Sequence, residues 1–562
     1  MKYLKIGIYE IWAFAIIAFA TVLRIILASL GWPITNSDEG TMGIAALHIA
    51  YHGEHPYMYY GQNYMGTLEA YIGAVLFHLF GPSLFVLRLS VILLIALFLV
   101  SMYLLTSLLY SKKLALVTLA LLSLGSNMVL TREIMSTGGS SQTLLFGSLA
   151  FLLAAWLALT SGQDISAKKA WWRLVGYSCW GLVVGLGLWS DLVVLPFFAM
   201  AAVFLVLFCW RDLWSLAPLC LLLGLIIGAS PAIAYNLKTL HGANSFSILL
   251  QLFHGSQTQA PHTLAQVIQG IKGTVLVSLP TATGNPFCPV SEEWQYFRYT
   301  SPHSAQCTIV HASWGLGYIV LWVIAAFLAI RTLWQLRYQL QVSTGFPEKR
   351  RTEVIRHFAH LMLLGSAALA LTAYALSSAP MGWPGIHARY LVGLLIVTPA
   401  IISPLWSSLN SFKLPLGTLT RVKVATSGGM LLLIGILLLL GTIETFSEIP
   451  LAQTINQQQD TLVNDLLRIH ATHIYSDYWT CDSLIFQSKE QIICVVVDGV
   501  LQPNLPHNRY IPYMPVVESD QHAAYAFPIG LPQAANMARK AALPGAHYRR
   551  FIFDGYVVYQ PL

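Results

Sequence analysis

The sequence predicts an all-α polytopic membrane protein with a small α/β domain at its C-terminal end, and three observations predict it. Of 562 residues, 56% are hydrophobic and only 10% charged, against about 25% charged in ordinary soluble proteins, and the mean hydropathy is +0.64. Apolar runs long enough to cross a bilayer, which takes roughly 20 residues per helix, recur through residue 446. From Leu451 onward the runs shorten into strand-like and short helical patterns.

Windows of bilayer length give about eleven spans, beginning near residues 11, 84, 114, 141, 174, 192, 214, 313, 357, 390 and 427. Asp191 interrupts one long apolar stretch, and the chain is divided there because a lone carboxylate at mid-membrane is costly while one in a tight turn is not. The first apolar segment contains Arg24 and lacks a small-residue cleavage site, so it is read as a retained span and not a signal peptide.

Lys and Arg collect in cytoplasmic loops, and one orientation fits. With the N-terminus cytoplasmic, the inner segments hold Lys2 and Lys5; Lys112 and Lys113; Lys168, Lys169 and Arg173; Arg211; Arg331, Arg337, Lys349, Arg350, Arg351 and Arg356; and Lys413, Arg421 and Lys423. The opposite short loops hold little beyond Arg88, Arg132 and Arg389. The net charge of +7 therefore reflects topology; with no basic stripe interleaved with aromatics, no nucleic-acid partner is expected. The predicted organisation is a transmembrane module, residues 1–446, with a first outer loop at 31–83 and a long outer loop at 235–312, followed by an extracytoplasmic α/β domain at 447–562. The expected location is the plasma membrane, in multi-pass form. Cys288 and Cys307 share the long loop and Cys481 and Cys494 share the tail, so an oxidising exterior permits two disulfides.

Within the first outer loop, Gly40 to Tyr51 carries its apolar residues on one helical face, with Ser37 or Asp38 as the expected N-cap. Gly53 and Pro56 end that helix, and a second apolar segment runs from about Tyr64 to Phe80 before Gly81-Pro82. Both are expected along the membrane surface. In the tail the pattern gives a polar helix at 451–470, strands at 473–479, 492–497 and 524–527, a helix at 532–542 and aromatic strands over 548–559. No internal repeat stands out, which weighs against transporters built on inverted repeats.

The chemistry concentrates on the outer face. Asp38 and Glu39 follow the first span, where a helix N-terminus favours ionised carboxylates, and suit a general base with an acidic neighbour; N-capping alone is the plainer alternative. Arg24 is an intramembrane cation with no acid in its own helix. Arg132 with Glu133, and Arg389 with Tyr390, stand at outer mouths of spans, where a guanidinium fork matches phosphate oxygens; interfacial anchoring is the plainer alternative there. His48, His52 and His55 invite a metal reading, but no acid completes a ligand set at the usual spacing, so no metal is indicated. No glycine-rich loop followed by Lys is present, which argues against nucleotide-driven chemistry. No cofactor is expected.

The order of motifs is distinctive: Arg24, then Ser-Asp-Glu-Gly (37 to 40), Gly-Gln-Asn-Tyr-Met-Gly-Thr-Leu-Glu-Ala-Tyr (61 to 71), Phe-Gly-Pro-Ser-Leu-Phe-Val-Leu-Arg-Leu (80 to 89), Leu-Thr-Arg-Glu-Ile-Met (130 to 135) and Ala-Arg-Tyr-Leu-Val (388 to 392). It resembles the GT-C glycosyltransferases, specifically bacterial relatives of the dolichyl-phosphate-mannose protein mannosyltransferases and the lipid A aminoarabinose transferase. The resemblance covers residues 1 to about 405 and is most specific between 24 and 135. It implies Asp38 as catalytic base with Glu39 beside it, Arg132 on the donor phosphate, and a matching role for Arg389 and Tyr390; Arg24, Gln62, Tyr64, Glu69 and Glu133 complete the donor and substrate candidates. Where many members carry an Asp shortly after that arginine, this chain runs Ile-Met-Ser-Thr-Gly-Gly-Ser-Ser, leaving Glu133 to stand in. Ser-Asp-Tyr-Trp (476 to 479) suits a sugar platform or a strand end packed on its own core.

The implied activity is that of a hexosyl- or pentosyltransferase. It would move a sugar from a polyprenyl-phosphate donor to a protein, lipid or glycan acceptor on the extracytoplasmic face, with inversion. Two other classes fit a membrane protein with outer cations: a lipid-linked-glycan transporter or flippase, and a polyprenyl-diphosphate-glycan polymerase or ligase. The first is expected to break its helices at mid-membrane, and the second to rely on late outer loops, leaving Asp38 dispensable.

Overall fold

The architecture follows from a computed structural model that describes residues 7–161, 167–239, 244, 245, 247, 263–284, 302–342, 348–410 and 418–562. Its helices, in chain order, are α1 (Ile8–Ser29), α2 (Ser37–Leu47), α3 (Leu68–Phe80), α4 (Leu84–Leu109), α5 (Lys112–Leu122), α6 (Asn127–Arg132), α7 (Ser140–Thr160), α8 (Ala167–Ser190), α9 (Leu195–Cys209), α10 (Ala217–Lys238), α11 (Leu264–Gly273), α12 (Pro302–Val342), α13 (Glu348–Leu376), α14 (Thr398–Asn410), α15 (Thr418–Ser447), α16 (Ile449–Arg468), α17 (Tyr478–Gln487), α18 (Tyr513–Glu518) and α19 (Pro532–Ala541). Nine helical stretches among the described residues are long and apolar enough to span a bilayer: 8–29, 84–109, 140–160, 192–214, 217–238, 304–336, 350–376, 384–409 and 421–468.

The other two expected spans take different forms. α8 has 24 residues, but Arg173 and its many Trp, Tyr, Gly and Ser residues dilute its hydropathy. The stretch from 114 is broken into α5 and α6, because Ser123 to Ser126 leave the helix and Gly125 instead bonds Thr442 of α15. The division at Asp191 holds: α8 ends at Ser190, and the Asp191 carboxylate accepts from Val193 N at 3.0 Å to start the next helical turn. α8 and α10 pack backbone to backbone, since Gly181 and Gly185 face Gly224 and Gly228 and a Cβ on Gly181 would lie 2.0 Å from the Leu221 carbonyl; small residues at such spacing are what membrane helices use for close contact.

The predicted surface segments are α2 with a π-helical turn, His48–His52, and α3. The N-cap of α2 is Asn36, not Ser37 or Asp38: Asn36 Oδ1 accepts from Glu39 N at 3.0 Å, which leaves the Asp38 side chain free to point elsewhere. In the tail, strands β1 (His473–Ser476), β2 (Ile493–Val496), β3 (Ala524–Pro528), β4 (Tyr548–Phe553) and β5 (Tyr556–Pro561) form one sheet in the order β2-β1-β3-β5-β4. β1 runs parallel to β2 and β3, while β3–β5 and β5–β4 are antiparallel. The aromatic stretch at 548–559 is thus a hairpin, turning at Gly555 with φ +81°.

The sheet does not stand apart. Met42, Ala45 and Ala46 of α2 and Phe77 of α3 share one buried core with Leu462, Ile474, Cys481, Ile485, Phe486 and Val558. α2 meets α17 through Gly40 and Gly43: a Cβ on Gly40 would fall 2.5 Å from the backbone of Asp482, and one on Gly43 the same distance from the Phe486 ring. Cys481 and Cys494 are disulfide-bonded, tying α17 to β2. Cys288 lies outside the described residues.

Candidate active site

The first carboxylates are set by the turn after α1. Glu39 is fully buried, and Arg88 of α4 grips it twice, Nε to Oε1 at 2.9 Å and Nη2 to Oε2 at 2.8 Å. Ser136 N donates to the same Oε1 at 3.1 Å. Glu69 of α3, also buried, accepts from Ser136 Oγ at 2.9 Å, Gly138 N at 3.0 Å and Ser141 Oγ at 2.7 Å. Arg24 and Glu133 pair with each other through Arg24 Nη2 and Nε, the latter at 3.1 Å. The remaining Arg24 donors reach the carbonyls of Ala20, Ser123 and Leu122 at 2.9, 3.2 and 3.3 Å, so all five guanidinium N–H groups are engaged. Buried charge is tolerated only when paired and hydrogen-bonded. Arg24, Glu39, Glu69 and Glu133, site candidates from the sequence, thus lie in the interior beneath the rim, where they bind α1, α2, α3, α4 and the 133–141 loop together.

Asp38 is arranged differently. Its backbone carbonyl accepts from Tyr59 Oη at 2.7 Å. Its Oδ1 accepts from Tyr478 Oη at 2.5 Å and lies 3.5 Å from Arg509 Nη2, while among the described residues nothing donates to Oδ2. The side chain is 19% exposed. Tyr478 opens α17, whose N-cap Asp477 accepts from Trp479 N at 2.9 Å and Thr480 Oγ1 at 2.7 Å. Arg509 donates to Tyr478 Oη at 2.8 Å and packs on Gly61, where φ is +71° and a Cβ would lie 2.7 Å from Arg509 Cδ. Burial, and then the Asp38 charge, push the Tyr478 phenol well above its ordinary pKa, so it remains a donor to Asp38. Trp479 is 60% exposed beside Tyr478, and His507 lies against the same ring at 4.9 Å.

Arg132, at the end of α6, lies within electrostatic reach of Arg389 and of Asp38, and its Nε has no partner among the described residues. Arg389 donates to Tyr390 Oη at 3.1 Å and stacks on that ring at 5.1 Å. Tyr64 is partly exposed near Tyr390, Asp191 and Arg389. Gln62 is half-buried in the turn between Tyr59 and Met65, where its backbone N donates to Tyr59 O at 2.9 Å. A groove of about 870 Å³ lined by Trp180, Leu188, Pro196, Leu369 and Tyr374 runs along α8, α9 and α13 and ends at His387 and Tyr390. The structure thus brings Asp38, Arg132, Arg389, Tyr390 and Tyr64 to one rim at the end of an apolar channel.

Tyr478 and Arg509 complete that rim from the tail. Tyr478 carried a signal in Ser-Asp-Tyr-Trp; Arg509, in Asn-Arg-Tyr-Ile-Pro-Tyr, carried none, being one cation in a polar loop.

No protein-family model matches the sequence, and no curated protein matches it. Solved structures do match the fold. ArnT from Cupriavidus metallidurans in the apo state superposes with a TM-score of 0.53 at 13% identity over 98% of each chain. The same protein bound to undecaprenyl phosphate gives 0.52 at 13% identity, again over 98% of each chain. The archaeal oligosaccharyltransferase AglB from Archaeoglobus fulgidus matches at 0.46 and 14% identity, over 98% of this chain and 74% of that one. The fold is therefore the GT-C fold anticipated from the sequence motifs, that of a multi-pass membrane protein, and it extends through the tail.

Proposed function

We propose that this protein is a membrane glycosyltransferase that moves a sugar from a polyprenyl-phosphate donor to an acceptor on the extracytoplasmic face, with Asp38 as general base. The observation that carries the reading is the contrast in carboxylates: Glu39 and Glu69 have both oxygens bonded and Glu133 is paired with Arg24 in the interior, whereas the partly exposed Asp38 keeps Oδ2 open beside Arg132 and Arg389 at the mouth of an apolar groove. The undecaprenyl phosphate of the ArnT complex is a ligand of the class such a groove would take.

In this reading the isoprenoid lies along α8, α9 and α13, and its phosphate meets Arg132 and Arg389. Asp38 Oδ2 takes the proton of an acceptor O–H or N–H while that atom's electron pair attacks the anomeric carbon. The bond from that carbon to the phosphate oxygen breaks, and its electron pair leaves with polyprenyl phosphate. One displacement inverts the anomeric centre. Tyr478 and Arg509 orient the Asp38 carboxylate through Oδ1, and Trp479 offers an aromatic face to a sugar ring. The transferred group is a hexose or pentose; protein, lipid and glycan acceptors are all compatible with an exposed rim. The Lys and Arg bias and the Cys481–Cys494 disulfide support an extracytoplasmic tail in the plasma membrane, with residues 447–562 roofing the module formed by residues 1–446.

The test is sugar transfer by purified Asp38→Asn. General-base catalysis is typically worth about 10² to 10⁴ in rate, so turnover should fall by at least about 100-fold with donor binding retained. Turnover near wild type would reject the mechanism and favour a polymerase or ligase using another loop.

A further inference from the structure

The second cluster of titratable side chains lies where the π-helical turn His48–His52 meets the tail. Along the chain its histidines lack an acid at ligand spacing; the fold supplies one from 442 residues away, Glu490. His48 is buried, and its Nε2 is 2.9 Å from Glu490 Oε1. The His52 ring stacks on it with centroids 5.1 Å apart, and His52 Nε2 lies 3.4 Å from Glu490 Oε2. One ligand atom from each residue falls within 4.8 Å of the others. Ligands about 2.0 to 2.1 Å from a tetrahedral zinc are about 3.3 Å apart. The two histidine-to-carboxylate separations bracket that value, and the half-exposed His52 ring is free to turn inward.

The surroundings match what metal ligands require. A ligating histidine gives its other ring nitrogen to an orienting partner. Here His48 Nδ1 meets Tyr60 Oη at 2.8 Å, and Tyr60 is bonded to Glu54 Oε2 at 3.0 Å. Ligating carboxylates are themselves hydrogen-bonded, and Tyr513 Oη donates to Glu490 Oε1 at 2.6 Å. With both hydroxyls donating to carboxylates, Nδ1–H must donate to Tyr60. A neutral His48 then turns its Nε2 lone pair toward a carboxylate oxygen, with Tyr513 Oη 3.0 Å away but donating to Glu490, an arrangement that suits a cation between them or a proton on the ring. Glu490 reaches this position in left-handed backbone, φ 62°, after Lys489 at φ 52°, a conformation non-glycine residues hold only when their surroundings fix it.

We infer that His48, His52 and Glu490 form a binding site for a divalent transition ion of the zinc class, which fastens the membrane-surface loop to the tail. Imidazole nitrogens with one carboxylate select zinc and its neighbours over magnesium or calcium, and three protein ligands leave a fourth position for water. Asp38 takes no part, so the inference is independent of sugar transfer.

The test uses the tag-free full chain in detergent, stripped with chelator and titrated with Zn²⁺ alone by calorimetry, with metal content measured after dialysis. The expected result is one ion per chain and a higher melting temperature with zinc. Glu490→Gln and His52→Ala should each weaken binding by about 100-fold or more, and Tyr60→Phe by about 10- to 100-fold, as outer partners do. His55→Ala, a change at an exposed neighbour outside the cluster, should bind as wild type. A wild-type chain that takes up no zinc, or one whose affinity survives both Glu490→Gln and His52→Ala, would overturn the inference and leave the cluster as an ion-paired contact.

Discussion

Asp38 and Glu39 are adjacent in sequence and share a helical turn, yet they belong to different regions of the molecule. Glu39 faces inward, where Arg88, Ser136 and the neighbouring Glu69 and Arg24–Glu133 sets cross-link five segments of chain. Asp38 faces the rim, with one oxygen held by Tyr478 and the other unclaimed among the described residues. The difference is one of completion. A buried carboxylate locked to an arginine serves as scaffold; one held through a single oxygen at a partly exposed rim leaves the other oxygen free to meet a ligand.

That contrast can be broken from either side. The largest effect on folding is expected in the frame: Glu39→Ala strands Arg88 in the interior, and removing one partner of a buried pair costs about 3 to 5 kcal/mol. Thermal unfolding in detergent should show a large loss for Glu39→Ala and almost none for Asp38→Asn, with transfer activity ranking the two by mechanism and not by stability. Equal destabilisation would erase the distinction between frame and rim.

At the rim, Arg132→Ala and Arg389→Ala should weaken donor-lipid binding by about 10- to 150-fold, since a charge-assisted bond is worth about 1.5 to 3 kcal/mol, with Lys substitutions milder. Direct binding of polyprenyl phosphate measures this. Unchanged affinity in both alanine variants would make these arginines interfacial anchors.

The smallest effect sharpens the comparison at the seam. Asp482 of α17 is buried against α2, accepting from Thr41 Oγ1 at 2.5 Å, and burial pushes its pKa up to about 7, with the Asp38 charge adding to the rise and Thr41 and Arg509 opposing it. The unfolded carboxyl titrates near 3.8, so between these values the folded chain binds the extra proton. Stability from this group is present at low pH and is lost as pH rises through about 7. Between pH 6 and 8 the loss integrates to about 1.4 kcal/mol, and Asp482→Asn should remove that part of the pH dependence of melting. A melting profile unchanged by the substitution would place the carboxyl's pKa at its ordinary value.

What the sequence disclosed follows from the range over which its signals act. Hydropathy is local, so most of the spans, the break at Asp191 and the two helices of the first loop were visible; α5 and α6 were read as one span because Ser123 to Ser126 are apolar enough on average to hide a break fixed by Thr442. Asp38 was visible because an acid in a membrane protein is conspicuous. Which acid was sealed was not: Arg24 and Glu133 are 109 residues apart, and an arginine awaiting a phosphate looks the same in sequence as one already paired. Arg509 and Glu490 were invisible for the same reason, each joining the first loop only through the packing of α2 on α17.

That packing also limits how such a protein can change over generations. With Gly40 and Gly43 pressed against α17 and apolar side chains from both ends of the chain in one core, the tail is not a detachable cassette. A recombination event that replaced it, or a truncation that dropped it, would bare the upper face of α2 and α3 to water. The first loop and the last hundred residues must be inherited together, and substitutions on one side of the seam should be tolerated only alongside compensating ones on the other.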